Sequence, residues 1–385
     1  MITIPKTYPL AFVAIITMVF MSMDLGRNFD IPGANQIEKG LVMLWGITAM
    51  MLGRINWPGV LGFVAVTTVI FISALLTDYE YFDPRTSIMS YTQIIAILFF
   101  FLVILDDRYM LLCIKVISLA AVIALLVGLL FMVAGYRELF KAEFATGVPR
   151  FGGSTIPAFM AGLSIMSSLT SLYLWLRYDK RYMYLFAVSY LCLMLTLGRM
   201  AILIGTILCY MRFITYSGIS KKTKADVTVA LFFLGLIGLA AIAPVMLERI
   251  ENSGLSGRDI LWEFVLYMIS RYPDFGIGFG HQFLSTPQDI INMTASWSAH
   301  NEYLRIALEV GIVPSFFFFI FMFLTFLSPM LYFKRFDFFY VSAVVLFFLS
   351  CATDNTISSP YMFLYLVSAY YIYALEMRKE RSVYS

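Results

Sequence analysis

A chain of 385 residues that is 61% hydrophobic and 13% charged, with a mean hydropathy of +0.84, falls outside the soluble globular class, where the apolar share is about 45–50%. Its net charge of +3 comes from basic residues scattered through short loops, which argues against a nucleic-acid partner. Cys113, Cys192, Cys209 and Cys351 sit singly in apolar runs without CxxC or Cys/His spacing, so they are packing residues and not a disulfide or metal framework.

In chain order, the first nine residues carry one lysine, and the apolar run after them has no small-residue cleavage site, so no cleavable signal is expected. Runs long enough to cross a bilayer as helices fall near 8–24, 40–54, 57–77, 88–105, 110–134, 156–176, 182–198, 200–216, 226–247, 311–332, 338–353 and 360–376. The expected fold is an all-α polytopic membrane protein: a single transmembrane domain over 1–385 with about twelve spans and a large loop, 248–310, between the ninth and tenth. Arg54, Arg108, the 177–181 and 221–224 clusters, Lys334-Arg335 and the 378–381 tail fall on one set of loops, which the positive-inside bias places in the cytoplasm.

The other set still holds Arg27, Arg85, Arg137, Arg150, Arg199, Arg249, Arg258, Arg271 and Arg305. Arginines against the topological bias suit either an anionic ligand or snorkelling to lipid headgroups. The spans show no chain of Asp, Glu or Arg of the kind a proton-coupled transporter needs, and no internal repeat.

The 248–310 loop holds the densest chemistry. Ser256 and Asp259 have capping-box spacing, and the helix they open runs to about Arg271. Ile260, Leu261, Phe264, Val265, Met268 and Ile269 occupy one face, with Asp259, Glu263, Tyr267 and Arg271 on another, the pattern of a helix at a membrane surface or packed on the spans. Arg258 and Trp262, four apart near its start, suit a phosphate. Gly276, Gly278 and Gly280 permit sharp turns and close approach to a ligand. His300, Leu304, Leu308 and Gly311 share one face of the next helix by spacing, with Asn301 and Arg305 beside them. A histidine among polar residues at the membrane boundary suits a general base; Glu302 and His281 are the rivals.

Arg258 with Trp262, the Pro273/Gly276/Gly278/Gly280 loop, His300-Asn301-Glu302-Tyr303-Leu304 with Glu309-Val310-Gly311, and Thr196-Leu197-Gly198-Arg199-Met200-Ala201 together resemble the O-antigen ligase/polymerase superfamily of bacterial membrane glycosyltransferases. The likeness covers about 190–315, and Gly198 and Met200 depart from the family's pattern around Arg199. It implies a GT-C-like fold in the bacterial inner membrane with a periplasmic active site. Its donor would be a glycan on undecaprenyl pyrophosphate and its acceptor another lipid-linked repeat unit. Membrane lipids and a chain-length regulator would be partners.

It further implies that Arg199 and Arg258 hold the pyrophosphate and that His300 activates the acceptor hydroxyl, with inversion and no cofactor or metal. Fixed guanidiniums stabilise charge developing on a leaving diphosphate, at ~2–4 kcal/mol per contact. Further candidates for substrate binding are Arg150, Arg85, Arg271, Arg305, Asn301, Trp262, Trp297 and Tyr303; the last two also suit interface anchoring. Three readings stay open: a polysaccharide polymerase, a ligase that transfers the glycan to lipid A-core, and a flippase or transporter.

Overall fold

The computed structural model describes residues 7–142, 147–230, 258–294 and 296–384. It is 75% helical. Among the described residues, five helices are long and apolar enough to cross a membrane: Trp57–Leu76, Pro84–Leu102, Asp107–Val133, Pro157–Arg177 and Ile312–Phe333. Pro9–Met23, Tyr182–Leu195 and Phe338–Cys351 are shorter apolar helices. Most of the expected run at 226–247 lies outside the described residues.

Two helices form the centre. Pro157–Arg177 carries Ser164, Ser167, Ser168, Thr170 and Ser171 fully buried, and small residues let helices approach closely where lipid offers no hydrophobic drive for association. A Cβ on Gly162 would stand 2.2 Å from the Tyr361 carbonyl oxygen, so this helix and Pro360–Tyr384 touch backbone to backbone. Ser167 also spans the break between Asp107–Ile117 and Ala120–Val133: its hydroxyl donates to the Ile117 carbonyl at 2.9 Å and accepts from the Ala121 N–H at 3.0 Å. The interruption therefore leaves these two backbone groups paired.

The bundle has two distinct ends. At one, Arg378 reaches Asp106 and Asp107 at 3.4 and 3.1 Å, Arg212 reaches Glu376 at 3.3 Å, and Arg54–Ile55 pairs with Val103–Ile104. These are elements whose basic loops share one side in the sequence reading. At the other end stand the Phe140–Ala142/Pro149–Phe151 hairpin, the Thr196–Gly198 break, the 354–359 turn and the described part of the long loop.

The described part of that loop folds onto the protein. Arg258–Arg271 buries Leu261, Val265 and Ile269 and exposes Asp259, Glu263, Tyr267 and Arg271. Its inner face packs with Ile277, Ala299 and Leu308 in a small second core, so the helix rests on the Glu302–Val310 helix. Ser256 lies outside the described residues.

Gly276, Gly278 and Gly280 have φ of 67°, 94° and 84°, the turn-forming conformations expected of them. What they approach is protein and not a ligand. A Cβ at Gly276 would meet the Leu308 carbonyl oxygen at 2.4 Å, and one at Gly280 the Ser90 hydroxyl at 1.9 Å. The loop caps a helix: the N–H groups of Ile277 and Gly278 donate to the carbonyls of Leu308 and Glu309 at 2.9 and 3.0 Å, which a helix C-terminus otherwise leaves unpaired. Thr77 and Ser73 tie the same segment to Trp57–Leu76 through the carbonyls of Gly276 and Val310.

Candidate active site

The helix after the long loop runs Glu302–Val310, and His300 precedes it. Asn301 is the N-cap: its side-chain oxygen accepts from the N–H groups of Tyr303 and Leu304 at 3.0 and 3.2 Å. The helical face expected to contain His300 therefore does not form, and Asn301 holds a helix end and not substrate. His300 sits at φ 48°, a left-handed turn that swings its ring away from the helix axis.

Its ring is held on both sides. Nε2 lies 3.2 Å from the Ser296 hydroxyl, and Nδ1 lies 3.4 Å from the Asn355 amide nitrogen and 3.6 Å from a carboxylate oxygen of Asp354. Ser298 donates to the Asn355 side-chain oxygen at 2.7 Å, and the Trp262 indole N–H donates to the Ala299 carbonyl at 2.7 Å. Trp262 thus braces the histidine turn from behind and does not face a ligand.

His300 opens into a cavity of about 270 Å³ that it lines with Arg27, Glu38, Lys39, Phe159, Asp354, Ser358 and Tyr361. A second cavity, about 430 Å³, is lined by Arg150, Arg199, Leu197 and Gly198. The two share Ala158, Asp354 and Met362 as wall, so imidazole and guanidiniums stand on either side of one carboxylate. The arginines are placed by the helix break. Leu197 at φ 51° ends the preceding helix, Gly198 is the N-cap of Arg199–Thr215, and the Arg150 Nε–H donates to the Thr196 carbonyl at 2.8 Å.

Other groups line the His300 cavity; of these the sequence marks Arg27 only as one of the outer-loop arginines. Arg27 lies 4.2 Å over the Phe159 ring and 3.7 Å from Asp24; Phe159 stacks on Tyr361 at 3.9 Å. The Tyr361 hydroxyl donates to Glu38 at 2.8 Å. Glu38 and Lys39 precede the apolar run that starts near residue 40. Burial raises the Glu38 carboxyl to about 7 and lowers the Lys39 ammonium to about 8, so both titrate near neutrality. Asp354 and Asn355 had a visible signal, the polar string Thr353-Asp354-Asn355-Thr356 between two apolar runs. Glu38 and Lys39 had only scattered charge.

Several expected site residues lie elsewhere. Glu302 and Arg305 are sealed inside the protein: Arg305 Nε meets Glu302 at 2.6 Å and Nη1 meets Glu309 at 2.9 Å, with all three side chains at most 2% exposed. The free oxygen of Glu302 accepts from the N–H groups of Ile357 and Ser358 at 2.9 and 3.3 Å. Glu302 is therefore not a rival base, nor Arg305 a substrate contact. They pin the Glu302–Val310 helix, which follows His300, to the turn that carries Asp354.

Tyr303 donates to the Phe348 carbonyl at 2.8 Å and packs on Phe319 at 4.5 Å, which makes it an anchor between helices. Trp297 is 61% exposed and, like the exposed Arg85 and Arg271, lines neither cavity. Arg258 opens its helix, and its side chain lies outside the described residues.

His281 is 1% exposed. Its Nε2 accepts from the Asp83 N–H at 2.8 Å, while Nδ1 faces the carbonyls of Gly278 and Phe279 at 3.2 and 3.3 Å. Those contacts fix a neutral ring with its proton on Nδ1, and burial lowers its pKa. It is a structural histidine.

Comparison of the chain with protein-family models, with curated proteins and with solved structures found no match.

Proposed function

We propose that this is a membrane glycosyltransferase of the O-antigen polymerase type, which moves a glycan from a lipid pyrophosphate onto a hydroxyl of another lipid-linked repeat unit. The observation that carries the reading is the pair of adjoining cavities, with Arg150 and Arg199 in one, His300 in the other, and Asp354 between them. A diphosphate needs fixed cations, and a sugar hydroxyl needs a base within hydrogen-bonding reach. The arrangement supplies each in its own compartment.

In the proposed step the donor's diphosphate rests against Arg150 and Arg199. An acceptor hydroxyl takes the place of Ser296 at His300 Nε2, which removes its proton. The oxygen attacks the anomeric carbon from the face opposite the diphosphate, the carbon–oxygen bond to the diphosphate breaks, and lipid pyrophosphate leaves with the electron pair. The configuration inverts. The imidazolium that forms is stabilised by Asp354 at 3.6 Å from Nδ1, an attraction that solvent partly screens because the two side chains are 33% and 38% exposed.

On this reading the cavity end faces the periplasm of a bacterial inner membrane and the Arg378/Asp106 end faces the cytoplasm, as the loop charges favour. Purified protein given a defined lipid-pyrophosphate repeat unit, with and without lipid A-core, tests the assignment. Self-elongation is expected. Transfer only to core would make the protein a ligase, and movement of lipid-linked glycan between leaflets without bond formation would make it a transporter.

A further inference from the structure

The His300 cavity adjoins a third space. Lys39 lines both it and a cavity of about 460 Å³ between the Ala34–Leu52 helix, the Pro84–Leu98 helix and the Gly280–Leu284 segment. This third cavity shares no lining residue with the Arg150/Arg199 cavity. By shared walls, the three run in the order arginines, histidine, third cavity.

The lining chemistry differs along that row. The first space offers two guanidiniums. The third has no arginine and no carboxylate in its wall; it presents the amides of Gln36 and Gln93, the hydroxyls of Thr86 and Ser90, the Lys39 ammonium and the Phe283 ring. Amides and hydroxyls suit the dense donors and acceptors of a sugar, and an aromatic ring suits its apolar face. A diphosphate would find one cation there, shared with the neighbouring cavity. The volume lies in the range of small-ligand sites.

We propose that this third cavity binds the penultimate sugar of the acceptor, so that the enzyme reads at least two sugars of the chain it extends. The terminal sugar sits at His300, and the next passes Lys39 to lie among Gln36, Gln93 and Phe283. This rests on the glycosyl-transfer reading above. It adds that acceptor selection is built by the Ala34–Leu52 and Pro84–Leu98 helices, apart from the donor's arginines.

The test uses purified full-length protein, a lipid-pyrophosphate repeat unit as donor, and two soluble acceptors: methyl glycosides of the terminal monosaccharide and of the terminal disaccharide of that unit. The disaccharide is expected to have a kcat/KM about 10-fold higher, the worth of one or two net hydrogen bonds, through a lower KM. Gln93→Leu and Lys39→Met should each bring the ratio of the two acceptors close to one, and Gln93→Leu should leave the KM for donor unmoved. If Lys39→Met does not fold, Gln93→Leu decides alone. A wild-type ratio near one, or a preference that survives Gln93→Leu, overturns the subsite while leaving glycosyl transfer standing. Failure of the wild type to glycosylate either acceptor, with donor intact, overturns both.

Discussion

Replacing Arg305 by methionine separates a structural tie from a substrate contact. Arg305 meets Glu302 at 2.6 Å and Glu309 at 2.9 Å, and none of the three side chains is more than 2% exposed. Removing the cation strands two carboxylates away from water. Breaking a buried pair in this way costs about 3–5 kcal/mol, a large part of the ~5–15 kcal/mol that holds a typical domain folded. The expected result is a fall on the order of 10 °C in the apparent Tm, followed by tryptophan fluorescence in detergent micelles.

Neutralising the stranded carboxylates should reverse much of this loss. Arg305→Met combined with Glu302→Gln and Glu309→Gln is expected to melt well above Arg305→Met alone, because the glutamine at 302 still accepts from Ile357 and Ser358. An Arg305→Met protein with the wild-type midpoint and a raised KM for donor would refute the argument and return Arg305 to the substrate site.

Two further outcomes follow from the same packing. Burial holds the folded pKa of His281 below its ordinary 6.5, so its neutral ring contributes stability that is complete above about pH 6.5 and is lost as pH falls through the folded value. His281→Gln, which keeps an acceptor for the Asp83 N–H, should narrow the difference between thermal midpoints at pH 5 and pH 7.5; an equal difference in both proteins would contradict this. Gly311 has φ 95°, and a Cβ there would stand 2.1 Å from the Asp274 carbonyl oxygen, whereas Gly135 at φ 70° has nothing within 4 Å. Size-exclusion chromatography should show a much lower folded yield for Gly311→Ala than for Gly135→Ala, and equal yields would count against the clash.

The helical class was legible in the sequence because it depends on local patterns. Apolar runs of spanning length announce themselves, and Gly198-Arg199 divides two helices where the polar break stands. The partners of His300 were not legible, because Asp354 and Asn355 reach it from more than fifty residues away. Arg305 misled for a related reason. Its spacing to Glu302 and Glu309 matches helical ion pairs, but only tertiary packing reveals that the triad is dry inside. The capping role of Asn301 was readable from an asparagine ahead of an apolar-periodic stretch. It was obscured by starting the helix two residues too early, at a histidine whose φ of 48° is not helical.

The most direct test of the account is a single-turnover assay of His300→Ala and Arg199→Ala beside wild type and the distant surface variant Lys222→Ala, with a lipid-pyrophosphate repeat unit as sole substrate. General-base loss should slow His300→Ala by ~10²–10⁴-fold with donor still bound, Arg199→Ala should weaken donor use, and Lys222→Ala should match wild type. A single-turnover rate for His300→Ala equal to that of the wild type would contradict the placement of catalysis at this imidazole.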